Sequence, residues 1–128
     1  MAVRKKETIL YGDRVLRDLE QGRPLAAIIY LYGDDPYQLR AIIKAITSRI
    51  QPGFKDFNLH QVTGGEVSGE QLEALAQQLP VKDEQCVVLV REATQFNKQD
   101  WTYLANYLEN PSPTTCLIFV VQDRDSGI

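Results

Sequence analysis

Cysteine and histidine are scarce, with two of the first and one of the second in this 128-residue chain. Cys86 and Cys116 form no C-x-x-C pair, and with His60 as their sole companion they do not make a Cys/His zinc site of the usual spacing. Each cysteine sits in a Val/Leu/Ile-rich run and reads as a small buried hydrophobe, with a reactive thiol or a disulfide as alternatives. No apolar run approaches the roughly 20 residues of a membrane helix. The opening Met-Ala-Val-Arg-Lys-Lys is followed by no apolar h-region. No membrane contact and no secretory signal are expected, and a cytoplasmic location follows by default. Catalytic patterns are missing too. No Gly-x-Ser-x-Gly presents a nucleophilic serine, the carboxylates form no proposable pair, and His60 reads as a partly exposed sheet residue rather than a general base. Positive charge is not in excess. The net charge is −3, made of +3 over residues 1–50 and −6 over residues 51–128. That balance argues against a domain held to nucleic acid by its own charge, while leaving room for a local basic patch in a larger assembly.

What the chain does have is the composition of one soluble globular domain, 44% hydrophobic and 24% charged. At this size a core forms without disulfides or metal. Residues 1–24 read as a basic arm with a short helix through Leu10, Val15, Leu16 and Leu19, ended by Gly22 and Pro24. Residues 25–128 form the domain proper. Ala26 to Tyr32 is a continuous apolar run that suits a strand covered on both faces. Asp35 then Pro36 starts a helix, with Leu39, Ile42, Ile43, Ile46 and Ile50 at helical spacing. Phe57 to Val62 reads as a period-two strand. Ser68 and Gln71 make a capping box ahead of Leu72, Leu75 and Leu79, and Pro80 stops that helix. Cys86 to Val90 is a buried strand. Asn97 caps a helix over about 98–109, with Trp101, Leu104, Tyr107 and Leu108 on its apolar side, and Cys116 to Val121 is the last strand. Buried strands alternating with helices predict an α/β fold: a three-layer, mainly parallel sheet with helices on both faces. Ligands of such sheets gather at the carboxyl ends of the strands, in loops 33–36, 63–67, 91–97 and 122–128.

The first of these loops has the strand–Gly–loop–helix outline of a P-loop without its chemistry. A working P-loop needs Gly-x4-Gly-Lys-Ser/Thr, so that backbone amides cradle phosphates, the lysine meets the terminal phosphates and the hydroxyl binds magnesium. Counted from Gly33, the last three positions are Gln38, Leu39 and Arg40. Asp34 and Asp35 stand where the helix would receive an anion. Each would cost about 4 kcal/mol against a phosphate oxygen at ~4 Å and an effective dielectric of about 20. The third strand ends in Arg91-Glu92, where a nucleotide hydrolase needs an aspartate for magnesium, and an arginine cannot bind the metal. The pattern is a degenerate P-loop NTPase domain with no cofactor and no catalytic residue, which points to a binding or mechanical role.

Several blocks resemble the delta subunit of bacterial DNA polymerase III. Tyr30-Leu-Tyr-Gly-Asp-Asp-Pro-Tyr37 resembles the family's "YLLYGDEPYL", and the segment through Pro52-Gly53-Phe54-Lys-Asp-Phe57-Asn58-Leu59 resembles "LLPGFEDFNL". Leu79-Pro80 ahead of an apolar strand, and Tyr107-Leu108-Glu109-Asn110-Pro111, resemble two further blocks in the same order. The resemblance covers about residues 25–121. It implies a degenerate AAA+-like first domain of a clamp-loader subunit, which binds and opens the sliding clamp (the beta subunit) without hydrolysing ATP. The implied partners are ATP-hydrolysing clamp-loader subunits and the delta-prime subunit in the DNA polymerase III holoenzyme, with primer–template DNA met only within the assembly. The implied setting is the nucleoid-associated replisome, with lid and collar domains beyond this chain.

The resemblance implies a clamp-binding element at Leu79, Pro80, Val81 and Lys82, where family members commonly follow Leu-Pro with two aromatics; the other reading makes Leu79 and Val81 core residues capping the helix. Arg40 and Lys44, one helical turn apart, either face DNA through its phosphates or form a solvated helix face. Two rival functions remain at this stage: an interaction module outside replication, and an unrecognised ATPase.

Overall fold

The structure is a computed structural model that describes residues 17, 19–22, 25–33 and 35–122. Most of the expected N-terminal arm and its helix lies outside the described residues, as do Asp34 and the loop after residue 122.

Four strands form one sheet: β1 (Ile28–Gly33), β2 (Leu59–Thr63), β3 (Cys86–Arg91) and β4 (Thr115–Gln122). Their order is β1-β4-β3-β2 and every pairing is parallel. The two inner strands explain the uninterrupted apolar runs, because Cys86–Val90 and Thr115–Val120 are buried on both faces. Edge strand β2 is half-buried along most of its length and reads as mixed sequence for that reason.

Alternate residues of the strands feed two separate cores. On one face Ile29, Leu31, Leu89, Ile118 and Val120 pack with Leu39, Ile42 and Ile46 of α1 (Pro36–Thr47). On the other, Ile28, Val88, Val90, Leu117 and Phe119 pack with Leu72 and Ala76 of α3 (Gly69–Ala76) and Leu104 and Tyr107 of α4 (Lys98–Glu109). The result is the three-layer parallel α/β sandwich expected from the alternation. Both cysteines are buried free thiols, and burial pushes the Cys116 thiol up to about 12.

The helix starts form where the sequence places them. Ser68 and Gln71 make a reciprocal capping box on α3, and Asn97 and Asp100 make one on α4. Asp100 also ties α4 to α3, its Oδ1 accepting the Gly69 N–H at 3.0 Å. Glycine is required there: a Cβ on Gly69 would sit 2.4 Å from the Asp100 carbonyl oxygen.

Helix α1 stops at Thr47, short of the expected Ile50, and β1 starts at Ile28 rather than Ala26; two further boundaries bear on the site. Phe57 and Asn58 belong not to β2 but to α2, a single turn over Lys55–Asn58 that follows a 3-10 turn at Pro52–Phe54. Helix α3 stops at Ala76, so Leu79 is not on the helix stripe. Proline disfavours helical backbone in the residue before it, and Pro80 has no N–H to continue the ladder. The chain unwinds one turn early through Gln77 N–H to Glu73 and Gln78 N–H to Leu75.

Candidate functional site: the two ends of the sheet

At the carboxyl end, β1 runs almost directly into α1. Asp35 is the N-cap, and its Oδ1 accepts the amides of Tyr37 at 3.0 Å and Gln38 at 3.3 Å. Pro36 has no N–H, and the Leu39 N–H bonds the Asp35 carbonyl. The N–H groups of Tyr37, Gln38 and Leu39, which a phosphate would otherwise recruit, are thereby accounted for. Of the positions singled out for glycine, lysine and hydroxyl, Leu39 is core, while Gln38 and Arg40 are exposed. Arg40 lies over the Tyr37 ring, 4.9 Å from its centroid. Lys44 is exposed one turn along.

Arg91 and Glu92, at the end of β3, are also exposed. Glu92 has a φ of 53°, in the left-handed region that a non-glycine residue rarely adopts. Gly64, after β2, lies against this turn. Its N–H bonds the Arg91 carbonyl at 2.8 Å, and a Cβ there would come within 2.3 Å of the Glu92 carbonyl oxygen. Among the described residues no three His, Cys, Asp or Glu side chains are grouped to hold a metal ion. No described helix is long and apolar enough to cross a membrane. His60 is half-buried, with Nε2 3.2 Å from the Phe57 carbonyl, so that nitrogen carries the proton as a donor.

The amino end of the sheet carries the Leu79–Lys82 turn, in the connection from α3 to β3. Leu79 is 74% exposed and Val81 40%. The core reading of Leu79 is therefore incorrect, since it contributes to neither of the two cores. Leu79 leaves the core because the helix that would have carried it inward ends three residues earlier. Lys82 is exposed, with a φ of 65° that turns the backbone back toward β3.

This exposed turn is held from beneath by a residue that the sequence reading passed over. Asn58, with no exposed surface, accepts the Val81 N–H on Oδ1 at 2.7 Å and donates from Nδ2 to the Val81 carbonyl and to Asp83 Oδ2, both at 2.6 Å. Gln51 adds a bond from Nε2 to Asp83 Oδ1 at 3.1 Å and another to the Lys82 carbonyl. Phe57, next to Asn58, is itself 55% exposed. Thus three of the exposed large hydrophobics, Phe57, Leu79 and Val81, come from two segments joined through Asn58. The available signal was the Asp-Phe-Asn block itself; a period-two reading absorbed both residues into a strand.

The fold is shared with solved structures. Its fold is similar to a Bacillus subtilis DNA clamp loader delta protein, with a TM-score of 0.74 at 24% identity over 87% of this chain and 35% of that one. It is also similar to a DNA polymerase III gamma subunit-related protein of Thermotoga maritima, with a TM-score of 0.65 at 12% identity over 88% of this chain and 39% of that one. The chain thus spans little more than a third of the length of these two structures. No curated protein matches its sequence. The family described as DNA polymerase III, delta subunit, matches residues 30–127, which is most of the chain, and the chain belongs to that family.

Proposed function

We propose that residues 25–128 are the first, AAA+-like domain of a clamp-loader subunit, which docks on the sliding clamp through Leu79, Pro80 and Val81 and takes part in opening it. The observation that carries this reading is Leu79, a leucine 74% exposed on a turn whose backbone is fixed from below. A few apolar side chains on a pre-organised support are what a hot-spot contact needs, because little conformational freedom is lost on docking.

The domain works without nucleotide. The Tyr37 and Gln38 amides are occupied by Asp35, and Leu39 and Arg40 stand where a P-loop has its lysine and its magnesium-binding hydroxyl. ATP hydrolysis is left to the other clamp-loader subunits, with the delta-prime subunit and primer–template DNA as further partners in the cytoplasmic replisome. Arg40 and Lys44 offer an exposed positive pair to DNA phosphates inside that assembly.

The test is binding of the chain to the immobilised sliding clamp of its own organism. Saturable binding that is lost on Leu79→Asp, with the melting temperature unchanged, supports the reading. Absence of binding by the wild-type chain at 100 µM clamp, about −5.5 kcal/mol, overturns it.

A further inference from the structure

We propose that Asn58 is the positioning residue of the clamp-binding turn: its side-chain amide imposes the backbone conformation in which Leu79 and Val81 face outward. The functional consequence rests on the reading given above; the structural one does not. Asn58 lies at the end of α2, fully buried, where the chain enters β2. Both polar groups of the Val81 peptide backbone end on this one side chain, N–H on Oδ1 and carbonyl on Nδ2. The second Nδ2 hydrogen goes to Asp83 Oδ2, and the Cys86 Sγ lies 4.0 Å from Oδ1. The side chain therefore serves the turn as a neighbouring strand would.

Only an amide fits this role. It presents a donor and an acceptor in one plane at fixed separation. Aspartate would still offer the Val81 N–H an acceptor, but it would lose both donors and set its carboxylate against that of Asp83, a repulsion that pushes the turn away and opens the Val81 bond. Alanine would keep nothing. The turn needs the help because it contains Lys82 in the left-handed region and belongs to no helix or strand. Gln51 fixes the far side through the Lys82 carbonyl and Asp83, which leaves Val81 to Asn58.

The experiment compares wild type, Asn58→Ala, Asn58→Asp, and Asn58→Asp combined with Asp83→Asn. Amide hydrogen exchange is followed at Val81 and, as a control on the core, at Ile118 of β4. Clamp affinity is measured on the same samples. Expected are exchange at Val81 faster by at least about tenfold in both single variants, protection at Ile118 retained, and clamp binding weakened by at least about tenfold. The double variant restores a 58–83 hydrogen bond with donor and acceptor reversed, and should recover part of the Val81 protection and part of the affinity.

Unchanged Val81 exchange in Asn58→Ala overturns the proposal, as does full clamp affinity once that protection is gone. If Asn58→Ala also loses Ile118 protection, it has unfolded, and the decision passes to Asn58→Asp against the double variant: no recovery at Val81 overturns the proposal. A wild-type chain that protects Val81 yet binds no clamp would sink the docking function and leave the positioning role standing.

Discussion

Leu79→Ala separates a docking residue from a packing residue, and the structure supplies the magnitude. Full burial of a leucine is worth about 1.5–3 kcal/mol. Leu79 is 74% exposed in the free chain, so most of that gain is still to be made, and at a clamp pocket it amounts to about 1–2 kcal/mol. Val81, only 40% exposed, has about 0.6–1.2 kcal/mol left to gain. In the proposed docking Leu79 is therefore the principal anchor and Val81 the lesser one. Truncation at Leu79 should weaken clamp binding about 5- to 30-fold and shift folding stability by no more than about 0.5 kcal/mol. Biolayer interferometry on immobilised clamp measures the first and a thermal melt the second. A melting temperature that falls by many degrees would mean that Leu79 packs in a core after all. Unchanged melting with unchanged affinity would remove it from the interface. Val81→Asp should lower both quantities, since its buried part supports the turn.

Three further outcomes follow from other parts of the molecule. Calorimetry with millimolar Mg-ATP should show no heat of binding, and a Kd below about 100 µM would contradict the amide accounting at α1. Gly64→Ala should destabilise the fold by about 1–3 kcal/mol, because its Cβ would lie 2.3 Å from the Glu92 carbonyl oxygen; an unchanged melt would show that the β2 and β3 ends yield freely. Burial raises the Cys116 thiol from 9.0 to about 12, so its contribution to stability is complete below pH 9 and is lost as pH climbs toward 12, the unfolded thiol ionising first. Between pH 8 and pH 10 the wild type should lose more stability than Cys116→Ala in urea unfolding, on the order of 1 kcal/mol, and parallel pH profiles would refute this.

The parallel sheet was legible because its inner strands are buried on both faces, leaving Val87–Val90 and Leu117–Val120 as unbroken apolar runs. The helix starts were legible because Asp35, Ser68 and Asn97 satisfy amides locally, which is a short-range matter. Asn58 was hidden because its partners lie 23 and 25 positions away, at Val81 and Asp83. Nothing local marks a polar residue as buried when what satisfies it is the backbone of a distant turn. Leu79 misled for the opposite reason: its spacing from Leu72 and Leu75 fits a helix that Pro80 ends a turn early.

The start of α1, after β1, and the proposed docking turn, before β3, lie at opposite ends of a parallel sheet in which both of these strands have six residues and are therefore about 20 Å long. Loss of one is compatible with keeping the other only if they are energetically independent, and Asp35→Ala tests that. The substitution removes the carboxylate that accepts the Tyr37 and Gln38 amides, which should cost about 0.5–2 kcal/mol of stability. It touches neither Asn58 nor any group bonded to the turn. Leu39, Ile42 and Ile46, which fasten α1 to the sheet, keep their packing. Clamp affinity should therefore stay within about twofold of wild type, as expected of sites more than 7–10 Å apart with no shared partners, while the melting temperature falls. A parallel loss of affinity, measured well below the melting transition, would show that the start of α1 and the clamp-binding turn are coupled through the sheet. In that case the capped helix would be part of the docking machinery rather than the remnant of a lost site.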